Sequence, residues 1–391
     1  GERVIVLGLA LASWAFAYIA YPLLLLAAGR TRRRAPVDPD RWPALSVTVP
    51  VYNGADVIAG ALDALLASDY PADALQIIVI SDASTDATDE IVARYASRGV
   101  ELLRLARRSG KTAAENAAAA RVRGDIVVNT DAAVRVHPRA LRRLATTLTD
   151  ATVGVASGQD VSVGAAGTGA NAGETSYVGY EMWVRELETR GTGAGIVGAS
   201  GCLYAIRADL HRLPVPGHLS RDFAAALVAR EHGLRAESVP EAVCYVPRGG
   251  SLRQEYHRKV RTMSRGLATL WAFRGLLDPR RDLSFAWRLA SHKLCRWLTP
   301  WAALAGMISL ALAARVQPAA RAGIAGVALV GVLGLVGWLW PGRGRVPRIL
   351  AVPAFGIGAV IAGLHAWLEA LRGGARSTWD PTTRRVPAAA R

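Results

Sequence analysis

Residues 4–28 form an almost unbroken apolar run, long enough to cross the roughly 30 Å hydrocarbon core of a bilayer. That length exceeds the apolar core of a cleaved signal peptide, so a retained anchor is expected. From Leu45 the pattern switches to alternation at Leu45, Val47, Val49 and Val51, a strand ended by Tyr52-Asn53-Gly54. Val57, Ile58, Ala61, Leu62, Leu65 and Leu66 then recur at helical spacing. Ile77-Ile78-Val79-Ile80 is the short continuous run of a buried parallel strand, and the polar stretch 81–86 opens a helix through Tyr95. Residues 101–105, an Ala-rich helix over 112–123 and a strand ending in Asn129-Thr130-Asp131-Ala132-Ala133 continue the βαβ rhythm. The rhythm predicts an α/β nucleotide-binding half. It places Asp131 at a strand's carboxyl end, where open sheets bind ligands.

Beyond Pro138 the pattern becomes mixed. Strands are expected at 153–157 and 160–163, a flexible Gly/Ala loop at 164–173 and a helix over 174–190. A second Gly-rich segment, 191–201, leads into residues 202–207, and a helix opens at Ser220, whose hydroxyl is expected to cap the turn carrying Asp222. Leu252, Tyr256, Val260, Met263, Leu267, Leu270 and Trp271 form one helical stripe opposite Arg258, Arg261 and Arg265, which suits a helix lying on a membrane interface. Three apolar runs follow at roughly 297–314, 322–340 and 349–371, each near spanning length. Pro300 and flanking basic residues make the first the most interfacial of the three.

Composition narrows the class. Of 391 residues, 51% are hydrophobic despite a net charge of +16, which points to a basic membrane protein rather than a soluble one. Arg30, Arg32, Arg33 and Arg34 follow the first apolar run and mark the cytoplasmic side. Arg343, Arg345 and Arg348 suggest a cytosolic loop, against which the basic tail at Arg372, Arg376, Arg384 and Arg385 runs. Cys202, Cys244 and Cys295 lie far apart, so neither a disulfide framework nor a zinc site is expected. No zinc finger, ribonucleoprotein motif or aromatic-interleaved basic stripe is present, which argues against nucleic acid. Gly110-Lys111-Thr112 echoes a phosphate-binding P-loop, but Leu105 stands where that motif needs its first glycine.

Five motifs carry the chemistry: Val49-Pro50-Val51-Tyr52-Asn53, Ile80-Ser81-Asp82-Ala83-Ser84-Thr85-Asp86, Gly110-Lys111, Asn129-Thr130-Asp131-Ala132-Ala133 and Ser220-Arg221-Asp222-Phe223. In order and spacing the set resembles the family 2 inverting glycosyltransferases, in their membrane-bound cellulose synthase and hyaluronan synthase branch, over about residues 45–265. The resemblance implies that Asp82 contacts the nucleobase, with Pro50 and Tyr52 walling its pocket, and that Lys111 sits near the donor diphosphate. It implies that Asp222 is the base that deprotonates the acceptor hydroxyl. Arg258 and Arg261 stand in the place of the Q-x-x-R-W motif, near the pyrophosphate, although here it reads Arg258-Lys259-Val260-Arg261-Thr262. Each residue also has a structural reading: Asp82 as a helix cap, Lys111 as a solvated lysine, Asp222 as a helix-start acid, and the arginines as a stripe facing headgroups.

The family's D-x-D is reduced here to Asp131-Ala132-Ala133. Mg²⁺ or Mn²⁺ would then be held by Asp131 with the donor phosphates, or arginines would take the metal's place. His137 precedes a proline and is not assigned as a ligand. Gly198, Ser200 and Gly201 resemble the loop near the donor sugar and acceptor mouth, while Glu181-Met182-Trp183 on the preceding helix is a candidate lining of the acceptor region, with Trp183 expected rather in the core.

The expected fold is α/β, a GT-A-like mixed sheet flanked by helices, with one N-terminal and about three C-terminal transmembrane or interfacial helices. The expected segments are an anchor (1–30), a cytosolic glycosyltransferase domain (31–250), interfacial helices (251–296), a C-terminal membrane region (297–371) and a basic tail (372–391). The expected activity is transfer from a nucleotide-sugar, of the UDP type, to a lipid or lipid-linked acceptor. Expected partners are the donor, a lipid or glycan acceptor and the bilayer, and the expected location is a plasma or inner membrane with the catalytic domain cytoplasmic. The alternatives are a processive polysaccharide synthase and a non-catalytic nucleotide-binding scaffold.

Overall fold

The computed structural model of the chain describes residues 2–29, 37–163, 169–191, 193–247, 252–340 and 346–374. The basic run at 30–34, Arg343, Arg345, the loop residues 164–168 and the tail beyond 374 lie outside them. The helices used below are α1 (Glu2–Ala15), α2 (Tyr21–Ala28), α3 (Lys111–Ala118), α4 (Gly169–Arg190), α5 (Arg221–Glu231), α6 (Leu252–Ala272), α7 (Cys295–Ala313), α8 (Pro318–Trp338) and α9 (Arg348–Leu371).

The strands are β1 (Leu45–Val51), β2 (Leu75–Ser81), β3 (Val100–Arg104), β4 (Ile126–Thr130), β5 (Arg135–Val136), β6 (Val153–Val163), β7 (Leu203–Arg207) and β8 (Arg235–Pro247). They form one sheet in the order β3-β2-β1-β4-β7-β6-β8-β5. The first four strands are parallel, and β7 runs antiparallel between β4 and β6. The predicted α/β half is thus continued by a mixed half in the same sheet.

Both sheet faces are buried. Val47 and Val49 join Ile77, Val79, Leu62 and Leu141 in one core, while Ile78, Ile80, Val127, Tyr204 and Ala225 pack on the other face. The polar alternates in β1 are buried too: the Ser46 hydroxyl donates to Gln76 Oε1 at 2.6 Å and the Thr48 hydroxyl to Asn129 Oδ1 at 2.8 Å. Alternation here marks a face whose polar groups are satisfied internally, not one turned to water.

Some boundaries differ from expectation. The two strands expected over 153–163 are one, β6, with an irregular register between Ser157 and Gln159, so the apparent turn is a bulge. The Ala-rich helix ends at Ala118, after which the Arg121 carbonyl accepts from Gln76 Nε2 at 3.0 Å. Trp183 is 39% exposed rather than in the core.

Among the described residues three helical segments are long and apolar enough to cross a membrane: Ile5–Ala28, Pro318–Trp338 and Arg348–Leu371. They turn large apolar side chains outward, among them Leu9, Leu329, Val332 and Val352, a surface that water disfavours. The first C-terminal apolar run forms α7, which is not among these three and lies along α1, with Gly306 against Ala10. The striped helix α6 buries its apolar face on α9, where Val260 meets Ala362 and Ala366. The Tyr256 hydroxyl lies 3.0 Å from His365 Nδ1. Trp271, at the far end of α6, is exposed.

Candidate active site

A cavity of ≈ 1070 Å³ opens at the carboxyl ends of β1 and β4. The sheet grows to opposite sides of these two strands, so the cavity occupies the switch point of the topology. Its walls bring together Pro50, Tyr52, Lys111, Asp131, Gly198, Gly201, Asp222, Arg258 and Arg261, nine of the residues singled out in the sequence. Helices α1, α7 and α9 contribute Trp14, Pro300, Ala303, Phe355 and Val360 to the same walls. Asp82 and Ser200 are not on the wall.

Asp82 works behind it. Its two carboxylate oxygens accept from the backbone N–H of Ser109 at 2.7 Å and of Gly110 at 2.8 Å. Gly110 has φ +94°, a conformation that favours glycine, and it starts α3. Asp82 thereby fixes the turn from which Lys111 projects. It does not cap the helix that follows β2, whose N-cap residue is Ala87.

Lys111 Nζ lies 2.6 Å from Asp131 Oδ1 and donates to the Gly201 carbonyl at 2.9 Å. Burial alone would lower this amine, but Asp131, Glu115 and Asp222 outweigh it and hold it above the usual lysine range. One turn along α3, Glu115 is 1% exposed, and neither of its carboxylate oxygens has a hydrogen-bond partner among the described residues. Burial raises its carboxyl; Lys111 and Arg221 pull it back, Asp222 and Asp131 add to the rise, and the net shift is upward.

Asp222 sits in the first turn of α5. The Ser220 hydroxyl does not cap the helix as expected; it donates to Asp222 Oδ1 at 2.6 Å. On the other side a Cβ at Gly201 would stand 2.7 Å from Asp222 Oδ2. The neighbouring Arg221 is buried and anchored on Asn116 and on the His211 carbonyl, so the turn that presents Asp222 is pinned from beneath. Ser200 acts inside the loop, donating to Asp160 Oδ1 at 2.6 Å and accepting from the Cys202 N–H at 3.1 Å.

The arginines of α6 are already engaged. Arg258 is bidentate on Glu255, at 2.7 and 2.8 Å, and 3.1 Å from Glu174. Burial would lower it, yet Glu255 and Glu174 hold it above the usual arginine range. Arg265 donates to the Thr112 hydroxyl at 2.7 Å and to the Leu219 carbonyl, tying α6 to both α3 and the loop before α5. Lys259 lies 3.4 Å from the centre of the Phe355 ring, and burial lowers its amine to about 8.

Sequence reading missed four features at or beside the cavity. Glu115 is hidden in an Ala-rich run, where its one signal was a lone acid amid alanines. Arg108 is stacked 4.0 Å over the Tyr52 ring. The third is a buried ionic network between Glu181 and Glu188 of α4 and residues 292–296, which run into the start of α7. Glu181 contacts His292 Nε2 at 2.9 Å, Lys293 at 3.2 Å and Arg296 at 2.7 Å, and His292 Nδ1 faces Glu188 at 2.6 Å. Burial would raise Glu181, but His292, Lys293 and Arg296 hold it well below the usual carboxylate range. The fourth, Asp160, is placed by Ser200.

Among the described residues no three His, Cys, Asp or Glu side chains gather to hold a metal ion. Asp131 supplies one carboxylate, already opposite Lys111, so an ion could be completed only by ligands that arrive with a donor.

Residues 46–212 match the family profile described as Glycosyl transferase family 2. The chain is 28% identical over 301 residues to an N-acetylglucosaminyltransferase of Rhizobium sp. (strain N33), covering 71% of this chain and 64% of that protein. It is 29% identical over 264 residues to an N-acetylglucosaminyltransferase of Mesorhizobium japonicum, covering 62% and 61%. The chain therefore spans less than two thirds of either relative. In fold it is similar to a mannosyltransferase, PcManGT from Pyrobaculum calidifontis, solved with GDP-Man and Mn²⁺: TM-score 0.72, 24% identity, 94% of this chain and 99% of that one covered.

Proposed function

Because the chain carries a family 2 glycosyltransferase domain, we propose that it transfers one sugar, with inversion, from a nucleotide-sugar to a lipid or lipid-linked acceptor held between its apolar helices. One observation carries this reading: a single cavity is walled both by Lys111, Asp131 and Asp222 and by Trp14, Ala303, Phe355 and Val360 of helices α1, α7 and α9. A site for a soluble acceptor has no use for the second set.

The donor diphosphate lies against Lys111 in this reading, with Asp131 orienting that amine. A divalent ion, when bound, would be held by Asp131 and the phosphates and would neutralise their charge. The acceptor hydroxyl faces Asp222, which takes its proton as the acceptor oxygen bonds to the anomeric carbon and the bond to the leaving diphosphate breaks. Pro50 and Tyr52 wall the base, and Asp82 shapes that end through the 109–110 turn. Arg261 attends the diphosphate, while Arg258, held by two glutamates, fixes α6. Similarity to two bacterial N-acetylglucosaminyltransferases makes a UDP-N-acetylhexosamine the first donor to try, and the fold relative makes GDP-mannose the second.

The test is donor turnover by the purified chain in nanodiscs carrying a bacterial lipid extract, with products separated by mass. A single sugar added to a lipid is expected. A ladder of long glycans would replace this reading with processive synthesis, and nucleotide binding without turnover would replace it with a scaffold.

A further inference from the structure

We propose that α9, although long and apolar enough to cross a bilayer, lies along the headgroup layer on the catalytic side, as a roof over the cavity, so that both of its ends stay on that side. The inference concerns how this helix meets lipid and holds whichever acceptor the site takes.

The level of α6 fixes the level of α9. Between positions 253 and 265, α6 carries Arg253, Glu255, Arg258, Lys259, Arg261 and Arg265, a density of charge that hydrocarbon does not accept. Arg265 is bonded to Thr112 and Arg258 to Glu174, which tie α6 to the catalytic domain. Along this helix α9 makes a run of contacts. The Phe355 ring lies against Lys259, a Cβ at Gly363 would be 3.6 Å from Met263 Sδ, and Ala362 and Ala366 pack on Val260. His365 meets the Tyr256 hydroxyl. From Phe355 to Ala366 a helix rises about 16 Å, more than half of the roughly 30 Å hydrocarbon thickness. A helix crossing the bilayer could not keep that length against a charged neighbour at the surface.

The two ends agree. Helix α7 runs antiparallel to α1: Arg296 Nε donates to the Ala17 carbonyl at 3.4 Å, and a Cβ at Gly306 would be 3.1 Å from Ala10. Its far end meets the beginning of α8, where a Cβ at Gly323 would be 3.1 Å from Leu310. The last turn of α8 is back at the surface, with the Trp338 ring 6.1 Å from the Tyr256 ring. There α9 begins, its Leu350 carbonyl close against Gly337. Its other end returns to the beginning of α7, not the far end: Trp367 Nε1 donates to the Trp297 carbonyl at 2.7 Å, and the Trp297 ring is 5.7 Å from that of Phe223, next to Asp222. Had α9 recrossed the bilayer beside α8 it would cover the middle of that helix, where Val327, Leu329 and Val330 are exposed.

Charge follows the same arrangement. Arg343, Arg345 and Arg348 precede the apolar run of α9 and Arg372 follows it; a flat α9 keeps all four on the catalytic side, as basic flanks prefer, whereas a spanning α9 divides them. Phe355, Ala359 and Val360 face the cavity, while Val352, Ile361 and Leu368 point outward, the apolar surface of a helix sunk into the boundary between headgroups and acyl chains.

The test reads depth. Spin labels on Val352→Cys, Ile361→Cys and Leu368→Cys, in the full chain in nanodiscs of bacterial lipid extract, are compared by their accessibility to oxygen and to a polar nickel chelate. The unsubstituted chain, with its three cysteines, sets the background. The three labels are expected within about one helical turn, roughly 5 Å, of one depth, whereas a spanning helix would spread them over about 24 Å. Variants that lose the wild-type melting temperature are replaced by Ile349→Cys and Leu371→Cys, at the two exposed ends. In sealed inside-out membrane vesicles an impermeant maleimide, located by peptide mass, is expected to modify Arg372→Cys as fully as Asp73→Cys of the catalytic domain. Val316→Cys, between α7 and α8, is expected to react only after permeabilisation. Graded depths along α9, or an Arg372→Cys that needs permeabilisation as Val316→Cys does, overturns the proposal. Sugar transfer is not read in either measurement, so this outcome and that of the donor-turnover test remain separate.

Discussion

Gly201 and Asp222 share one small volume: a methyl group on Gly201 would stand 2.7 Å from Asp222 Oδ2, and the Gly201 carbonyl accepts from Lys111 Nζ at 2.9 Å. One residue thus spaces the proposed base from the proposed donor cation. Gly201→Ala should push the carboxylate aside and lower kcat about 100-fold, the scale of a 1 Å misplacement at a reacting centre. Steady-state kinetics with the melting temperature as control checks it, and unchanged kcat in a folded variant would remove the spacing role.

Asp222→Asn keeps the size of the side chain and its contact with Ser220 but cannot accept a proton. Transfer should fall by about 10²–10⁴, while nucleotide affinity measured by calorimetry stays within about twofold. Transfer at the wild-type rate would take the base assignment away from this residue.

Lys111→Met should weaken nucleotide-diphosphate binding by about 10- to 100-fold, the scale of one charge-assisted contact. Because Lys111 and Asp131 meet at 2.6 Å, adding Asp131→Asn to Lys111→Met should cost far less than the sum of the two single changes. Additive losses in that cycle would mean that the residues serve the donor independently.

Glu115 provides a pH signature. Its native carboxyl is raised, first by burial, so the folded protein keeps a proton that the unfolded chain releases. That contribution to stability is intact below the ordinary glutamate range, near about pH 4.3. It is lost as pH climbs through the raised native value, at no more than about 1.4 kcal/mol per pH unit. Glu115→Gln should flatten the loss, so that the variant melts above the wild type on the alkaline side and not on the acid side. Parallel melting curves across pH would show that Glu115 is ionised in the fold.

In the proposed reading a bound ion would rest on Asp131. Chelation should lower donor turnover, Mn²⁺ or Mg²⁺ should restore it, and Asp131→Ala should abolish the restoration. Turnover indifferent to chelator would leave Lys111 as the sufficient cation.

The parallel half was legible in the sequence because its strands are continuous apolar runs, Ile77 to Ile80 being the plainest, and because Asp131 closes one of them. The cavity also gathers distant motifs in the expected way, Asp131 and Asp222 among them. Asp82 shows the limit: an acid after a buried strand can face a ligand or bind the next turn, and only the position of the Ser109 and Gly110 amides decides between them. Glu181 shows another. Its partners lie more than a hundred residues away, on a segment whose pattern registered only as apolar with basic flanks. Periodicity reports which face of a helix is buried, not what charge waits on the neighbouring one. Trp183 was misjudged for the same reason, since residue type alone suggested a burial that its place on α4 does not give.

That α1, α7 and α9 wall the cavity changes, in the proposed reading, how an acceptor would find it. An acceptor confined to the bilayer searches in two dimensions, and its supply is set by mole fraction among lipids rather than by bulk molarity. Dilution of the membranes at fixed donor concentration would leave the turnover per enzyme unchanged, whereas dilution of the acceptor by inert lipid would slow it in proportion.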